Sequence, residues 1–148
     1  MSSSSGLAVG EGLIITQPFY WDLNDASRAW SARFGERQHG QSPTAFHAGV
    51  YSSVLAYLNA ALAAGTNDAP AVIQKLKETP IDDALFGPIV VRADGRAIHN
   101  MYILKVKSPT ASKSKWDLLE QVGVLSGPEA FRPLDQGGCP LVEPPKSN

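Results

Sequence analysis

Three histidines, a single cysteine, a short acidic stretch and several aromatic rings hold the chemistry open to this chain of 148 residues. A metal site needs several ligands on one face, and His39, His47 and His99 share no such spacing on a helix. Asp22-Leu23-Asn24-Asp25 suggests calcium but lacks the central Gly and the distal bidentate Glu of an EF-hand loop, so its oxygens read as helix caps. Cys139 lies in a Cys-Pro pair with no His or carboxylate nearby in sequence to activate it, and reads as a structural thiol. There is no Gly-x-Ser-x-Gly elbow and no phosphate-binding glycine loop; Gly137-Gly138 has no helix after it. Catalysis has no foundation in these spacings, so the chain reads as a non-enzyme with no cofactor and no metal. What remains is recognition. His47 can donate a hydrogen bond to a polar ligand atom or satisfy a backbone partner instead. Phe19, Tyr20, Trp21 and Phe46 offer rigid apolar surface at low entropic cost.

The length suits one domain, and 43% apolar residues can build a core. A formal net charge of -1 gives no electrostatic case for nucleic acid or anionic membrane. Lys113 and Lys115 form a small basic cluster in a Ser-rich loop that reads as solvated. No apolar run approaches the ~20 residues of a membrane span. Met1 to Gly6 has neither a basic nor an apolar region and does not read as a secretory signal. The chain as written is therefore expected to be cytoplasmic, or to be cut from a larger precursor. A single cysteine allows no intrachain disulfide.

The elements that must position these groups follow from pattern. Gly12 to Thr16 is an apolar run between Gly and Pro, which suits a buried strand. Asp22, Asn24 and Asp25 start a helix carrying Ala26, Trp30, Phe34 and Arg37, and Gly40 closes it. A second helix opens near Ser42-Pro43-Thr44, has Phe46, Val50, Val54, Leu55, Leu58 and Leu62 as its apolar face, and stops at Gly65. A third starts at Asp68, with Val72, Ile73 and Leu76 as its buried stripe, and cannot pass Pro80. Phe86 to Val91 and Ala97 to Val106 read as strands joined by the tight turn Asp94-Gly95, the second covered on both faces. Trp116 to Leu125 suits one more strand, and from Gly127 the Pro- and Gly-rich chain should run extended over a surface. These strands are too few for a complete doubly wound sheet, so an isolated unit would leave apolar faces uncovered.

Glu11 to Asp25, holding Gly12-Leu13-Ile14-Ile15-Thr16 and Phe19-Tyr20-Trp21-Asp22, resembles a crossover strand and aromatic-Asp turn. Phe46 to Leu62, with Tyr51 and the small residues Ala48, Gly49, Ser52 and Ser53, resembles a helix opening at a ligand cleft. Phe86-Gly87-Pro88-Ile89 to Val106 resembles a closing hairpin, and Glu129 to Leu134 with Cys139-Pro140-Leu141 resembles a tail seen in one soil-bacterial branch. In this order, over roughly residues 10 to 143, the motifs resemble the C-terminal portion of type I periplasmic binding proteins of the leucine/isoleucine/valine-binding kind.

The resemblance implies an α/β chain with a partial type I periplasmic-binding-protein fold: crossover strand, about three helices, hairpin and extended tail. Residues 1–10 are then a flexible leader, 11–143 the C-terminal segment of a ligand-binding domain, and 144–148 a disordered tail. It also implies binding without catalysis. The partners would be a small solute (an amino acid, or an aromatic or other carboxylic acid or amide) and an ABC permease, in the periplasm. Phe46 falls where an aromatic ring lines the solute pocket of branched-chain amino-acid binders, although it also reads as core at a helix start. His47 stands beside it, and Tyr20 and Trp21 either frame the cleft mouth or pin a loop. The groups that hold the solute's charged ends lie, in the family, ahead of this stretch. Weak or absent solute binding is expected of this chain alone, since micromolar affinity needs about -8 kcal/mol. The alternative is a small α/β interaction module, forming a homo-oligomer through exposed apolar faces.

Overall fold

The computed structural model describes residues 6–142, in two compact units that divide the chain at Ala48, Asn100 and Leu125. The expected disordered tail and the first five residues of the leader lie outside the described residues. From Leu7 to Gly10 the chain forms a helical turn, α1.

The first unit, Met1–Ala48 with Met101–Leu125, is built on an antiparallel sheet of three strands. β1 (Ile14–Gln17) pairs with the sheet's central strand, Met101–Val106, in the register Ile14 to Lys105 and Gln17 to Tyr102. That central strand pairs in turn with Leu119–Leu125. The register slips between Ile103 and Leu104, where Gly123 lies against the Ile103 side chain; a Cβ there would stand 3.2 Å from its Cδ1. Strand alternation puts Leu104 and Val106 on one face, where they join Leu119 as a core. Leu7, Ile15, Tyr20, Leu23, Tyr102 and Leu118 pack against it. Lys105, between the two core residues, points to solvent. The central strand is therefore covered well on one side, and less on the other than its apolar sequence suggested.

Helix α2, Asp25–Arg37, starts as its sequence requires. The Asn24 side chain accepts from the Ser27 amide at 2.9 Å, and the Asn24 amide donates to Ser27 Oγ at 3.0 Å, a reciprocal cap. Arg28 bridges Asp22 at 2.8 Å and Asp25 at 2.5 Å. The acidic stretch is thus a helix start whose carboxylates face a guanidinium. Trp30 is buried against Phe19, edge to face, with centroids 5.6 Å apart.

The second unit, Gly49–Asn100 with Ser126–Asn148, holds most of α3 (Ala45–Ala64) and all of α4 (Ala69–Glu78). It also holds an antiparallel sheet of β2 (Ile81–Asp83), β3 (Gly87–Val91) and β4 (Ala97–Ile98), with β3 in the middle. Asp68 caps α4, accepting from the Ala71 amide, and Gly95 turns the hairpin at φ 81°. The central strand and the edge strand of the first unit become β5 and β6. They are followed by a short helix, α5 (Gly127–Ala130), and a turn of 3-10 helix at Leu134–Gln136.

Several features depart from the sequence reading. The run Gly12 to Thr16 is not a buried strand: β1 lies at the sheet edge with Leu13 and Ile14 exposed, and β2 is a strand the pattern did not show. The large apolar residues of α3 are exposed, Phe46 at 87% and Leu62 at 82%, whereas the small residues Ala48, Ser52 and Ala60 are buried. These small residues recur every four or eight positions and share one face. The helix is apolar nearly all round, so pattern cannot choose a face. The small one admits close approach and lets Ser52 Oγ donate to Asp83 at 2.6 Å. In α4, Val72 is buried but Ile73 is 51% exposed. The run from Ala97 to Val106 is two strands in two sheets, parted at His99-Asn100. Finally, the tail folds locally at α5, where Ser126 and Glu129 close a capping box, instead of running extended throughout.

Candidate functional site

The candidate residues Tyr20, Trp21, Phe46 and His47 all belong to the first unit. They form two pairs. Tyr20 and Trp21 follow β1 and both donate to the backbone carbonyl of Trp116, each at 2.8 Å. The Tyr20 hydroxyl also accepts from the amides of Leu118 at 2.9 Å and Leu119 at 3.2 Å, which closes the entry to β6. Burial pushes the Tyr20 phenol above its ordinary value, and the two amide hydrogen bonds oppose that rise only in part. Both side chains are thus tied to the Trp116 loop by hydrogen bonds.

Next to them lies an open cavity of about 280 Å³ lined by Trp21, Arg28, Ser31, Ser42, Ser114 and Trp116. Its polar groups are mostly committed. Trp116 Nε1 donates to the Gly40 carbonyl at 3.2 Å, and Arg28 is held by its two aspartates. Beneath the loop, Lys107 and Asp117 form a largely buried ion pair, and Asp117 also accepts from the Lys113 amide at 2.9 Å. Burial raises the Asp117 carboxyl, but the Lys107 and Lys113 hydrogen bonds outweigh it and leave the group below its ordinary value. The same pair raises Lys107.

Phe46 and His47 occupy the first turn of α3. The His47 ring lies 4.9 Å from Phe34, which lies 5.7 Å from Trp30, so aromatic stacking leads from the buried Phe19 out to the imidazole. Nδ1 of His47 accepts from the Thr44 amide at 3.1 Å. An amide can only donate, so Nδ1 must offer its lone pair and the proton of the neutral ring sits on Nε2. Nε2–H has no protein partner among the described residues. Phe46 presents its ring to solvent and is not core. An exposed ring and a free donor thus occupy successive positions at the start of α3.

No hydrogen bond or ring contact links the two pairs among the described residues. Sequence reasoning missed Trp116 as the anchor of Tyr20 and Trp21, because 95 and 96 positions separate them. It also missed Phe34 as the support of His47. No group of three or more metal-ligating side chains occurs among the described residues, and no single helix there is long and apolar enough to cross a membrane.

The family model of the periplasmic binding proteins matches residues 1–114. A periplasmic binding protein of Burkholderia mallei is 36% identical, with a TM-score of 0.91 over 96% of this chain and 37% of its own. A branched-chain amino acid ABC transporter periplasmic ligand-binding protein of Burkholderia xenovorans is 35% identical, with a TM-score of 0.90 over 95% of this chain and 37% of its own. A leucine-, isoleucine-, valine-, threonine- and alanine-binding protein of Brucella ovis, 17% identical, shares the fold with a TM-score of 0.71, over 89% of this chain and 35% of its own. The chain thus spans little more than a third of the length of these relatives. No curated protein matches it significantly.

Proposed function

This chain belongs to the periplasmic binding protein family, and from that premise we propose that it serves in the solute-binding protein of an ABC transporter. The solute is a branched-chain amino acid or a related small carboxylate or amide, captured in the periplasm by lobe closure and passed to a permease. No bond is made or broken. Ligand shifts the population toward the closed form, as it must when it contacts that form better. The observation that carries this reading is the 35% identity to the Burkholderia xenovorans ligand-binding protein over nearly the whole chain. In this role Phe46 supplies apolar contact to the solute side chain and His47 Nε2–H donates to a polar atom. Tyr20 and Trp21 fix the Trp116 loop.

Because the chain spans 37% of that relative, the test places it in a complete fold. This chain would replace the matching segment of the Burkholderia xenovorans protein. The chimera would then be titrated calorimetrically with leucine, isoleucine, valine, polar amino acids and aromatic acids. Binding of a branched-chain amino acid that Phe46→Ala weakens by tenfold or more, about 1.4 kcal/mol, supports the proposal. A folded chimera that binds none of the panel overturns it.

A second reading rests on α3. Val50, Val54, Leu58 and Leu62 are all exposed, a large apolar stripe for a helix in water. In this reading the chain is an α/β interaction module that forms a homo-oligomer through that stripe, without binding solute. Light scattering of the purified chain decides. A dimer that Leu58→Lys converts to a monomer with an unchanged circular dichroism spectrum favours the module, and a monomer at micromolar concentration excludes it.

A further inference from the structure

The second unit contains a polar cavity of about 360 Å³ that the solute-binding reading leaves unused, lined by Arg92, Asp94, Arg96, Arg132, Pro133 and Cys139 among others. Its arginines come together through ordinary hairpin chemistry. Arg92 and Arg96 flank the Asp94-Gly95 turn, where the Arg92 amide donates to the Arg96 carbonyl at 2.9 Å. Arg92 forks onto Asp94, Nε to Oδ1 at 3.2 Å and Nη2 to Oδ2 at 2.5 Å. Its remaining Nη1 donates to the Arg132 carbonyl at 2.8 Å, which draws the segment after α5 alongside the hairpin and brings in the third guanidinium.

Charge does not balance there. Three guanidinium groups face one carboxylate, which leaves a formal excess of two positive charges among the lining residues. Asp94 serves Arg92. Arg96 lies over the Phe131 ring, 5.8 Å from its centroid, and Arg132 makes only a long 3.5 Å contact to the Gln136 carbonyl. Neither pairs with a carboxylate among the described residues. Each retains unused N–H donors in the planar fork that fits carboxylate and phosphate oxygens. The volume suits a small molecule better than a polymer, and the chain's formal net charge of -1 makes the cluster a local feature and not part of a basic surface.

We propose that this cavity binds a small oxyanion carrying two or more negative charges, a phosphate or a polycarboxylate, between the guanidinium groups of Arg96 and Arg132. Arg92, held by Asp94, supplies the third positive charge. This does not rest on the solute-binding role and would hold if that role failed.

Cys139 provides the test, because the only cysteine of the chain is half-buried in the wall of the same cavity. The folded chain is alkylated with iodoacetamide, an uncharged reagent, in inorganic phosphate or in citrate, with ionic strength held constant by chloride. Mass action slows a reaction blocked by bound anion by 1 + [L]/Kd, about tenfold when the anion stands near ten times its Kd. The expected result is saturable slowing in at least one anion. Arg96→Gln and Arg132→Gln should each lose most of it, while Arg132→Lys, which keeps charge without the fork, keeps part. Both arginines are exposed, so these variants should keep the parent's urea midpoint. The phosphate and citrate arms tell which oxyanion class is preferred, and calorimetry with the same anions reads one site per chain. The proposal is overturned if neither anion slows alkylation, or if the slowing is undiminished in both glutamine variants, which would make it a general salt effect.

Discussion

Replacing Tyr20 with Phe removes one oxygen and keeps the ring, so it separates a loop-pinning role from a ligand contact. The hydroxyl serves three backbone groups: the Trp116 carbonyl and the amides of Leu118 and Leu119. Two of these have a second partner. The Trp116 carbonyl keeps Trp21 Nε1 at 2.8 Å, and the Leu118 amide keeps the Trp116 carbonyl at 3.0 Å. The Leu119 amide loses the acceptor it had in Tyr20. A buried donor left unpaired costs about 1–3 kcal/mol, and half-burial with two shared partners places the loss near about 1.5 kcal/mol. With a urea slope of about 1–3 kcal/mol/M, the midpoint should fall by about 0.5–1.5 M. Trp21→Phe alone should cost less, since Tyr20 still satisfies the carbonyl. The double variant should cost about the sum of the two, because the Trp116 carbonyl still accepts from the Leu118 amide at 3.0 Å when both side-chain donors are gone. pH supplies a second check. The folded phenol titrates above its ordinary value of 10.0, so its contribution is complete below pH 10 and is lost as pH rises through the folded pKa. Urea midpoints for the three variants, with and without solute in the chimera, test the argument. A Tyr20→Phe midpoint equal to the parent's, or solute affinity lost at unchanged stability, would refute the anchoring role.

Phe46→Ala should leave stability within about 0.5 kcal/mol of the parent, since the ring is exposed, and any larger loss in urea unfolding would show that it packs. Asp117→Asn leaves Lys107 largely buried without its carboxylate and should cost about 3 kcal/mol; a loss under about 1 kcal/mol in the same assay would count against the pair. Asp117 is held below its ordinary 3.8, so its stabilisation is present above that pH and disappears as pH falls through the folded pKa. Acid unfolding of Asp117→Asn should accordingly be shallower than the parent's below pH 4. Gly127→Ala puts a Cβ 2.6 Å from Ile98 Cγ2 and 3.3 Å from the His99 carbonyl. That crowding should cost about 1–3 kcal/mol, seen as a lower thermal midpoint.

Much of the fold was legible because local chemistry dictates it. Asn24 and Ser27 cap a helix from neighbouring positions, Asp68 does the same before α4, and Asp94-Gly95 turns a hairpin without help from distant residues. The break at His99-Asn100 was not legible. Ala97 to Val106 alternates as one strand would, and only the separate pairing of Ile98 with Val90 and of Tyr102 with Gln17 splits it. The local helix at Gly127–Ala130 was hidden by its Pro and Gly content, although Ser126 and Glu129 have the spacing of a capping box. At the candidate site, His47 was visible as a donor, but its tautomer depends on the Thr44 amide.

The sequence by itself determined the three longer helices, the Asp94-Gly95 turn and the family resemblance, because caps, turns and periodicity act within a few residues of one another. Tertiary structure alone decided which side of α3 is buried, what Tyr20 and Trp21 hold, and that three arginines share one cavity. In each case the deciding partner is distant along the chain or, for α3, the composition is apolar on every side. Burial and hydrogen bonding choose between such faces only when a specific surface arrives to pack against them.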